Sequence, residues 1–374
     1  MRSRNILQLG LKELYSLKAD PVLIALIIYI FTIAVYAVAT GMNFEVRNAA
    51  VAVVDEDNSA LSRQMRAAFL PPYFKPAVQI SALDMDSALE NGDYVFVVVF
   101  PPDMERNLLL GKSSTVQVNI DASAMTQAGN GAVYIQQILS DEAIKHLLPG
   151  KQLQDFMPVN VDVRKLFNPN SESRWFNAVM QVINSITILG IILTGAALIR
   201  EREHGTVEHL LVMPVRPSEI MLAKIWANGV VILICTLLSL LIVVREVLAV
   251  PVQGSIWLFS AGALLYLFSV TALGIMLATL ARSMAQFGLL VIPVIVIMYL
   301  LSGSTTPMES MPDWLRWFMQ LSPSTHFIAF AQAILYRGAG FGSVWHLLLL
   351  LAAVGALFFS VALLRFRKAI VSMG

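Results

Sequence analysis

Two polar clusters in the sequence have the residue types of a metal or phosphate site. His204, Glu208 and His209 offer imidazole and carboxylate groups, but their order differs from His-Glu-x-x-His, which places two zinc-binding histidines one helical turn apart. The run Gly-Lys-Ser at 111–113 resembles the end of a phosphate-binding loop. Such a loop needs an earlier glycine so that bare amides can surround the phosphates, and Arg106 stands at that position. The sequence therefore predicts neither a metal site nor a phosphate loop.

A serine nucleophile is the third candidate. The run Ser-Gly-Ser at 302–304 carries two hydroxyls, but a glycine- and serine-rich break at the end of a helix explains it without catalysis. Cys235 is the only cysteine, so an intrachain disulfide and a thiolate metal cluster are excluded. Because no coherent catalytic set is present, the sequence predicts a protein that is not an enzyme and that binds no cofactor directly.

The most informative polar feature is a charged run between two apolar stretches. Residues 200–211 read Arg-Glu-Arg-Glu-His-Gly-Thr-Val-Glu-His-Leu-Leu, whereas the stretches 175–199 and 225–244 carry no charge. Each stretch has about the 20 residues that a helix needs to cross a bilayer core. Val207 and Leu211 within the run can share one face of a helix. We therefore predict a short amphipathic helix just outside the membrane, through which a partner can move two spans.

The composition is that of an integral membrane protein. Of 374 residues, 57% are hydrophobic and 14% are charged, whereas a soluble domain has roughly 25% charged residues. The net charge of +1 implies no nucleic-acid partner. Charge-free stretches predict an α-helical polytopic membrane protein with six transmembrane helices. The predicted spans are Val22–Thr40, Trp175–Ile199, Ile220–Val244, Ile256–Ala281, Phe287–Ser302 and Val344–Leu364.

Lysine and arginine residues in short loops predict the orientation of these spans. If the N-terminus is cytoplasmic, most of the basic residues beside the spans lie on the cytoplasmic side, and only Arg245, Arg316 and Arg337 fall in short outer segments. Both termini and the charged run are therefore expected in the cytoplasm.

A long polar insertion, residues 43–174, separates the first two spans. Its short β-rich runs alternate with helical patterns, and Ser59 and Asp103 are predicted N-caps of two helices. This alternation predicts an inserted α/β domain on the outer, periplasmic side. The predicted strands are Ala49–Val54, Tyr94–Phe100 and Val116–Ile120, and the predicted helices are Ser59–Phe69, Leu83–Asn91, Asp103–Leu110 and Met125–Leu148.

The N-terminal residues 1–21 have the pattern of an amphipathic helix on the cytoplasmic side. Leu7, Leu11 and Leu14 line one side of this helix, and basic residues lie beside them. A helix of this kind suits the membrane interface. We expect it to lead into a first transmembrane helix at 22–42.

A second interfacial segment is expected at the outer surface, at 303–335. It begins with a polar run after the fifth span and continues into Trp314, Trp317 and Phe318, which have helical spacing. Tryptophan rings favour the boundary between membrane and water. The pattern therefore predicts a broken or re-entrant segment.

Polar residues also lie inside the predicted spans. Gln181, Asn184, Thr187 and Thr194 fall in the second span, where the first three can share a broad face, and Asn228 and Thr236 fall in the third. In lipid, such groups seek partners, so they are expected to face other helices or a cavity. Two interpretations stay open: hydrogen bonds between helices with no substrate role, or the lining of a substrate path between two copies of the spans.

The charged run also carries a resemblance to a known family. Residues 201–211, followed by Pro214 and Lys224, closely resemble the coupling helix of ABC-2 type transport permeases, with the pattern Glu-x-Glu-x-Gly-Thr-x-Glu between spans two and three. The order of elements is similar over essentially the whole chain to that of the subfamily with a large periplasmic domain, with five spans within residues 175–374. The resemblance implies a fold like that of type V exporters.

The resemblance also implies a function, partners and site residues. The chain would be the permease subunit of an ATP-driven exporter in the bacterial inner membrane, paired with a second permease subunit as a homodimer or heterodimer. Separate ABC ATP-binding subunits would hold ATP and Mg²⁺. The large outer domain favours a periplasmic adaptor (membrane fusion) protein as a further partner and a drug-like or amphipathic substrate. The implied ATPase-coupling residues, within a coupling segment at 200–219, are Glu201, Arg202, Glu203, Gly205, Thr206, Glu208, Leu211 and Pro214, and the implied outer gate contains Pro307, Trp314 and Trp317.

A second class of function stays open. A mechanotransmitting or sensory ABC membrane subunit uses ATP to move its outer domain without transporting a substrate. The usual version of that class has four spans, whereas this chain is predicted to have six.

Overall fold

The computed structural model describes residues 2–41, 46, 48–121, 125–148, 168, 172–203 and 215–371. The chain divides into two compact units. The first, which we call the helical unit, comprises Met1–Gly41 and Arg174–Gly374, and the second, the inserted unit, is Met42–Ser173.

The helical unit contains helices that are long and apolar enough to cross a membrane. Six such helices occur in the described part of the chain, which confirms the predicted number of spans. Helices are numbered along the whole chain, and α4 to α7 belong to the inserted unit. Those of the helical unit are α1 (Arg2–Lys18), α2 (Pro21–Phe31), α3 (Ile33–Gly41), α8 (Ser173–Glu203), α9 (Pro217–Leu238, continued by the π-helical segment Ser239–Val247), α10 (Ile256–Leu280), α11 (Met284–Leu301), α12 (Asp313–Met319), α13 (Pro323–Leu335) and α14 (Phe341–Val371).

The six spans differ in how deeply they are buried within the unit. Spans two and four, α8 and α10, are mostly buried, whereas spans one, five and six present most of their surface outward. Apolar side chains that point outward suit contact with lipid. The bundle is therefore built around α8 and α10, and the predicted fifth span forms a helix that continues through Pro293.

The first span is broken where α2 meets α3. Thr32 leaves the helical conformation, with ψ of −77°, and its hydroxyl donates to the carbonyl of Ile28. The break frees the carbonyl of Phe31, which accepts a hydrogen bond from Ser239 at 2.6 Å. Ser239 opens the π-helical segment of the third span, so a polar group exposed by one irregular helix is satisfied by the other.

Glycines allow α8 and α10 to approach closely. A Cβ atom on Gly274 would lie 2.6 Å from the carbonyl oxygen of Ile191, which is backbone and has little freedom to move. Gly195 faces the same crossing, since a Cβ there would lie 3.0 Å from the carbonyl oxygen of Gly274. Small residues at a helix crossing are the usual means of close packing in membranes, where no water is expelled.

We expect Gly274→Ala to destabilise the helical unit by about 1–3 kcal/mol, because the added methyl group forces two backbones apart. The check is reversible unfolding in mixed micelles. Gly288→Ala is the matched control: Gly288 lies inside α11 and a Cβ there meets nothing within 4 Å. The control should be neutral or stabilising, and equal losses for both variants would contradict the close approach at Gly274.

The inserted unit contains a small four-stranded sheet in the order β2-β1-β3-β4. β1 pairs in parallel with β2 and β3, and β3 pairs antiparallel with β4. Three of the four strands were predicted, and β2 was missed because it is only two residues long. The strands are β1 (Val51–Asp55), β2 (Val78–Gln79), β3 (Phe96–Phe100) and β4 (Gln117–Ile120), and the helices are α4 (Ala60–Ala67), α5 (Met85–Glu90), α6 (Met104–Leu109) and α7 (Met125–Leu147).

Aromatic side chains form the core of the inserted unit, and polar side chains fix the helix starts. Phe74 packs edge-to-face on both Phe69 and Phe96. Ser59 caps α4, as predicted, by accepting from the Ser62 amide. Asp103 occupies the N-cap position of α6 with φ of 56°, but its side chain makes no cap hydrogen bond.

The cap of α6 comes instead from Asp57, in the loop after β1. Its carboxylate accepts from the amides of Met104 at 2.7 Å and Glu105 at 3.2 Å. The prediction that Asp103 supplies the cap is therefore wrong. Spacing along the sequence points only to a residue next to the helix, whereas this cap is brought from a distant loop by the pairing of β1 with β3.

Candidate functional site

Four consecutive charged residues end α8, immediately before the segment 204–214. Each makes a contact with a different part of the helical unit. Arg200 lies 3.7 Å from the carboxylate of Asp20, the residue that caps α2. Glu201 pairs with Lys224 at 2.9 Å. We call the run Arg200–Glu203 the hub, because its four side chains contact five other helices.

Lys224 is the buried centre of the charge cluster around the hub. It lies in the second turn of α9 and is only 2% exposed. Its ammonium lies 2.8 Å from Oε1 of Glu13 on α1 and 2.9 Å from Oε2 of Glu201. Glu201 also accepts from Lys12 at 3.3 Å. Two carboxylates and two ammonium groups therefore compensate one another where α1, α8 and α9 meet.

A second contact fixes α1 against α9. The indole nitrogen of Trp226 donates to the carbonyl of Ile6 at 3.1 Å. The ring covers Gly10, where a Cβ atom would lie 2.1 Å from the indole carbons. The absence of a side chain at Gly10 therefore lets the tryptophan lie flat on the N-terminal helix.

The hub also joins the turn between α10 and α11. The guanidinium of Arg202 donates to the carbonyl of Ala281, which terminates α10. Oε1 of Glu203 accepts from the amide of Met284, the first residue of α11, at 2.8 Å. A cation at a helix C-terminus and an anion at a helix N-terminus both complement the helix dipole. The end of α8 is thereby connected to spans four and five.

Three of the predicted coupling residues, Glu201, Arg202 and Glu203, are thus found in contacts within the chain. The other five, Gly205, Thr206, Glu208, Leu211 and Pro214, lie outside the described residues. Reasoning from the sequence did not pair Lys224 with Glu13 or Glu201. The available signal was a lysine close to an apolar stretch, which must find an opposite charge if it is buried.

The predicted path residues lie at different depths in the bundle. Asn184 and Asn228 are buried and Gln181 is half-buried. Asn228 donates to the carbonyl of Lys224 at 2.9 Å, on its own helix. Within the described part of the chain, the side chains of Gln181 and Asn184 have no hydrogen-bond partner. Asn228 is therefore close to the charge cluster, whereas Gln181 and Asn184 lie further along α8.

A hydroxyl network crosses the interior of the bundle and was not predicted. The hydroxyl of Tyr266 on α10 lies 2.5 Å from that of Thr187 on α8. Thr187 donates to the carbonyl of Ile183, so Tyr266 is the donor to Thr187. Ser324 of α13 also reaches Tyr266 and lies 2.5 Å from Ser302, at the end of α11. Spans two, four and five are thereby linked to α13.

The predicted outer segment forms two helices. α12 carries Trp314 and Trp317, both exposed, and α13 is buried along most of its length. Pro307 precedes a single 3₁₀ turn, Met308–Ser310. Tyr336, which ends α13, donates to the carbonyl of Phe176 at 3.0 Å, and burial raises the pKa of its hydroxyl well above the ordinary value. Tyr336 is therefore a neutral donor that ties this segment to the start of α8.

A bundle of six apolar helices, with a charged hub at the end of span two, defines a polytopic membrane protein. Comparison with known proteins agrees: the model of the ABC-2 family transporter proteins matches residues 21–364, and the chain belongs to that family. Membership implies an ABC ATP-binding partner, since the permease is the membrane subunit of such a transporter.

Individual relatives cover nearly the whole chain. The inner membrane transport permease YhhJ of Escherichia coli (strain K12) is 48% identical over 370 residues, 99% of each chain. The probable multidrug ABC transporter permease YbhR of the same organism is 29% identical over 364 residues, 96% of each chain. YbhS, also described as a probable multidrug ABC transporter permease, is 25% identical over 349 residues, 90% of this chain and 89% of the relative.

Proposed function

We propose that this chain is the permease subunit of an ATP-driven exporter that moves an amphipathic or drug-like molecule outward across the bacterial inner membrane. A separate ATP-binding subunit holds ATP and Mg²⁺ and docks on the coupling segment at 200–219. The observation that carries the proposal is the hub. It connects the first four residues of this segment to α1, α2, α9, α10 and α11.

The proposed mechanism begins with movement of the docked ATP-binding subunit. A force on the segment 204–214 reaches α8 through Glu203 and α9 through Pro217, because these residues border it. Lys224 and Glu201 hold α8, α9 and α1 together, so the three move as one body. Arg202 and Glu203 pass the displacement to the turn between α10 and α11. A small rotation of the coupling segment is thus shared by five of the six spans.

The proposed substrate path lies between two permease subunits. Gln181 is half-buried and costly against lipid, and its side chain lacks a partner within the described residues, so a second copy of the spans would receive it. Asn184 is already buried within the helical unit and would lie behind this surface. The outer end would be closed by the segment containing Pro307, Trp314 and Trp317, whose exposed rings suit the membrane boundary. Asn228, beside the charge cluster, would lie at the inner end.

The proposed topology places both termini and α1 on the cytoplasmic side and the inserted unit in the periplasm. Its support is the distribution of lysine and arginine in the short loops. A periplasmic unit of this size offers a surface to an adaptor protein that carries substrate onward.

The docking of the ATP-binding subunit can be tested with charge reversal. In the co-purified complex, Glu208→Lys should lower ATP turnover about tenfold or more, because opposed like charges at an interface cost several kcal/mol. Glu246→Lys is the matched control, since Glu246 is an exposed glutamate at the opposite end of the third span. Normal turnover in the Glu208 variant would exclude docking at this position.

Export itself needs a separate measurement. Inverted membrane vesicles that contain the complex should accumulate amphipathic fluorescent dyes when ATP is added. A complex that hydrolyses ATP, responds to Glu208→Lys, and accumulates none of a broad set of such dyes would favour the mechanotransmitting alternative.

A further inference from the structure

A cavity of about 140 Å³ lies beside the charge cluster, between α1, α2, α8 and α9. One part of its wall is charged or polar and the other is aliphatic. Its size is close to that of a protein cavity that accepts a benzene molecule. The polar lining is Lys12, Glu13, Ser16, Arg200, Glu201 and Asn228, and the apolar lining is Leu17, Leu23, Ile192, Leu193, Ala196 and Ala197.

The accessible charges of this cavity are positive. The side chains of Lys12 and Arg200 are 56% and 47% exposed, whereas those of Glu13 and Glu201 are 13% and 14% exposed. Both carboxylates lie within 2.9 Å of the buried ammonium of Lys224, and Glu201 also accepts from Lys12 at 3.3 Å. A molecule that approaches the mouth of the cavity therefore meets two cations first, and an anionic group complements them.

The position of the cavity relative to the bilayer follows from α1. Leu7, Leu11 and Tyr15 on this helix are exposed, and Gly10, on a neighbouring side, is covered by Trp226. Leu7 and Leu11 are 56% and 40% exposed in the helical unit, and with basic neighbours this suits a helix that lies at the level of lipid headgroups. The charged mouth then lies at headgroup depth and the aliphatic wall extends toward the acyl chains.

The small side chains of α8 create the space. Ala196 and Ala197 line the cavity about one turn after Ile192, and Leu23 in the first turn of α2 lies on the other side. A volume of this size holds roughly five or six carbon atoms, judged by the benzene-sized cavity. It therefore admits the first part of one acyl chain while the headgroup remains outside.

We propose that this cavity binds one phospholipid with an anionic headgroup from the leaflet that α1 contacts. The phosphate lies between Lys12 and Arg200, and the first methylene groups of an acyl chain lie against Leu23, Ile192 and Ala196. Arg200 is part of the hub, and Lys12 pairs with Glu201, so the lipid contacts the residues that join α8 to its neighbours. The stability of the contacts between α8 and its neighbouring helices then depends on the lipid composition of the leaflet.

Native mass spectrometry of the full-length protein, equilibrated with phosphatidylglycerol or phosphatidylcholine, tests the proposal. The wild type should retain phosphatidylglycerol in preference to phosphatidylcholine. Lys12→Gln and Arg200→Gln should each weaken this preference about fivefold, from the usual contribution of one basic residue near an anionic membrane surface. Ala196→Phe should reduce the retention of both lipids, because the phenyl ring fills the cavity without changing its charge.

Matched controls separate this site from general attraction to basic surfaces. Lys18→Gln removes an exposed cation from the same helix but away from the cavity, and Ala25→Phe adds a ring on the exposed side of α2. Both variants should retain the lipid as the wild type does. Equal retention of the two lipids by the wild type, or equal loss in Lys18→Gln and Lys12→Gln, would overturn the proposal. Displacement of the lipid by inorganic phosphate alone would instead indicate a site for free anions.

Discussion

Replacement of Lys224 with methionine should destabilise the helical unit by about 3–5 kcal/mol, the usual cost of removing one partner from a buried ion pair. The methionine has a similar volume, so packing changes little. Glu13 and Glu201 keep their buried positions but lose the ammonium between them. Reversible unfolding in mixed micelles measures the loss, and the ATP turnover of the complex should fall with it.

Two comparisons make this prediction specific. Lys12→Met removes a lysine of the same cluster that is mostly exposed, and should cost under about 1 kcal/mol, as surface ion pairs do. Lys224→Met combined with Glu13→Gln and Glu201→Gln should recover much of the stability, because a neutral buried cluster avoids uncompensated charge. A triple variant that is no more stable than Lys224→Met would show that the loss does not come from the carboxylates.

The sequence alone predicted the spans because the energetic rule behind them is local. A charged side chain is costly in lipid, so charge-free stretches mark the spans wherever their partners lie. The fifth span was predicted at Phe287–Ser302 and is found at Met284–Leu301. It remains an α-helix although Pro293 lies inside it. In the inserted unit, the strands of four or five residues were predicted because short apolar, β-rich runs mark them locally, whereas β2 has only two residues and gave no pattern.

The partners within the hub could not be predicted in this way. Glu13 and Lys224 are separated by 211 residues, and no local spacing connects them. Their pairing depends on how α1 lies against α9, which is fixed by Gly10 under the ring of Trp226. A glycine in an amphipathic helix carries no signal of what covers it. Side-chain type shows only that such groups need partners if they are buried, and the fold identifies those partners.

The polar residues inside the bundle also show that the sequence does not identify hydrogen-bond partners. Gln181, Asn184 and Thr187 were selected as polar residues in one span, and of these Thr187 makes the hydrogen-bonded crossing of the interior, with Tyr266. Threonine can satisfy its hydroxyl on its own helix, as Thr187 does with Ile183, so its presence in a span predicts little. Tyr266 is apolar over most of its surface, and its hydroxyl is easily overlooked in a hydrophobic run.

Tyr266→Ala should also have a large effect. We expect it to lower the free energy of unfolding of the helical unit by about 3–5 kcal/mol, the usual cost of truncating a buried aromatic residue. Tyr266 is fully buried and stacks on Phe327 with ring centroids 4.2 Å apart and an interplanar angle of 10°. Removing the ring leaves a cavity between α10 and α13 that the surrounding helices cannot close.

The ring, rather than the hydroxyl, should carry most of this loss. Interhelical hydrogen bonds in membranes average about 0.6 kcal/mol, so Tyr266→Phe, which keeps the stack on Phe327, should cost about 1 kcal/mol. Thr187 keeps its bond to Ile183 in that variant. Tyr29→Ala is the matched control, an exposed tyrosine of the first span, and should change stability little. If Tyr266→Phe proves as damaging as Tyr266→Ala, the hydroxyl network, and not aromatic packing, holds spans two and four to α13.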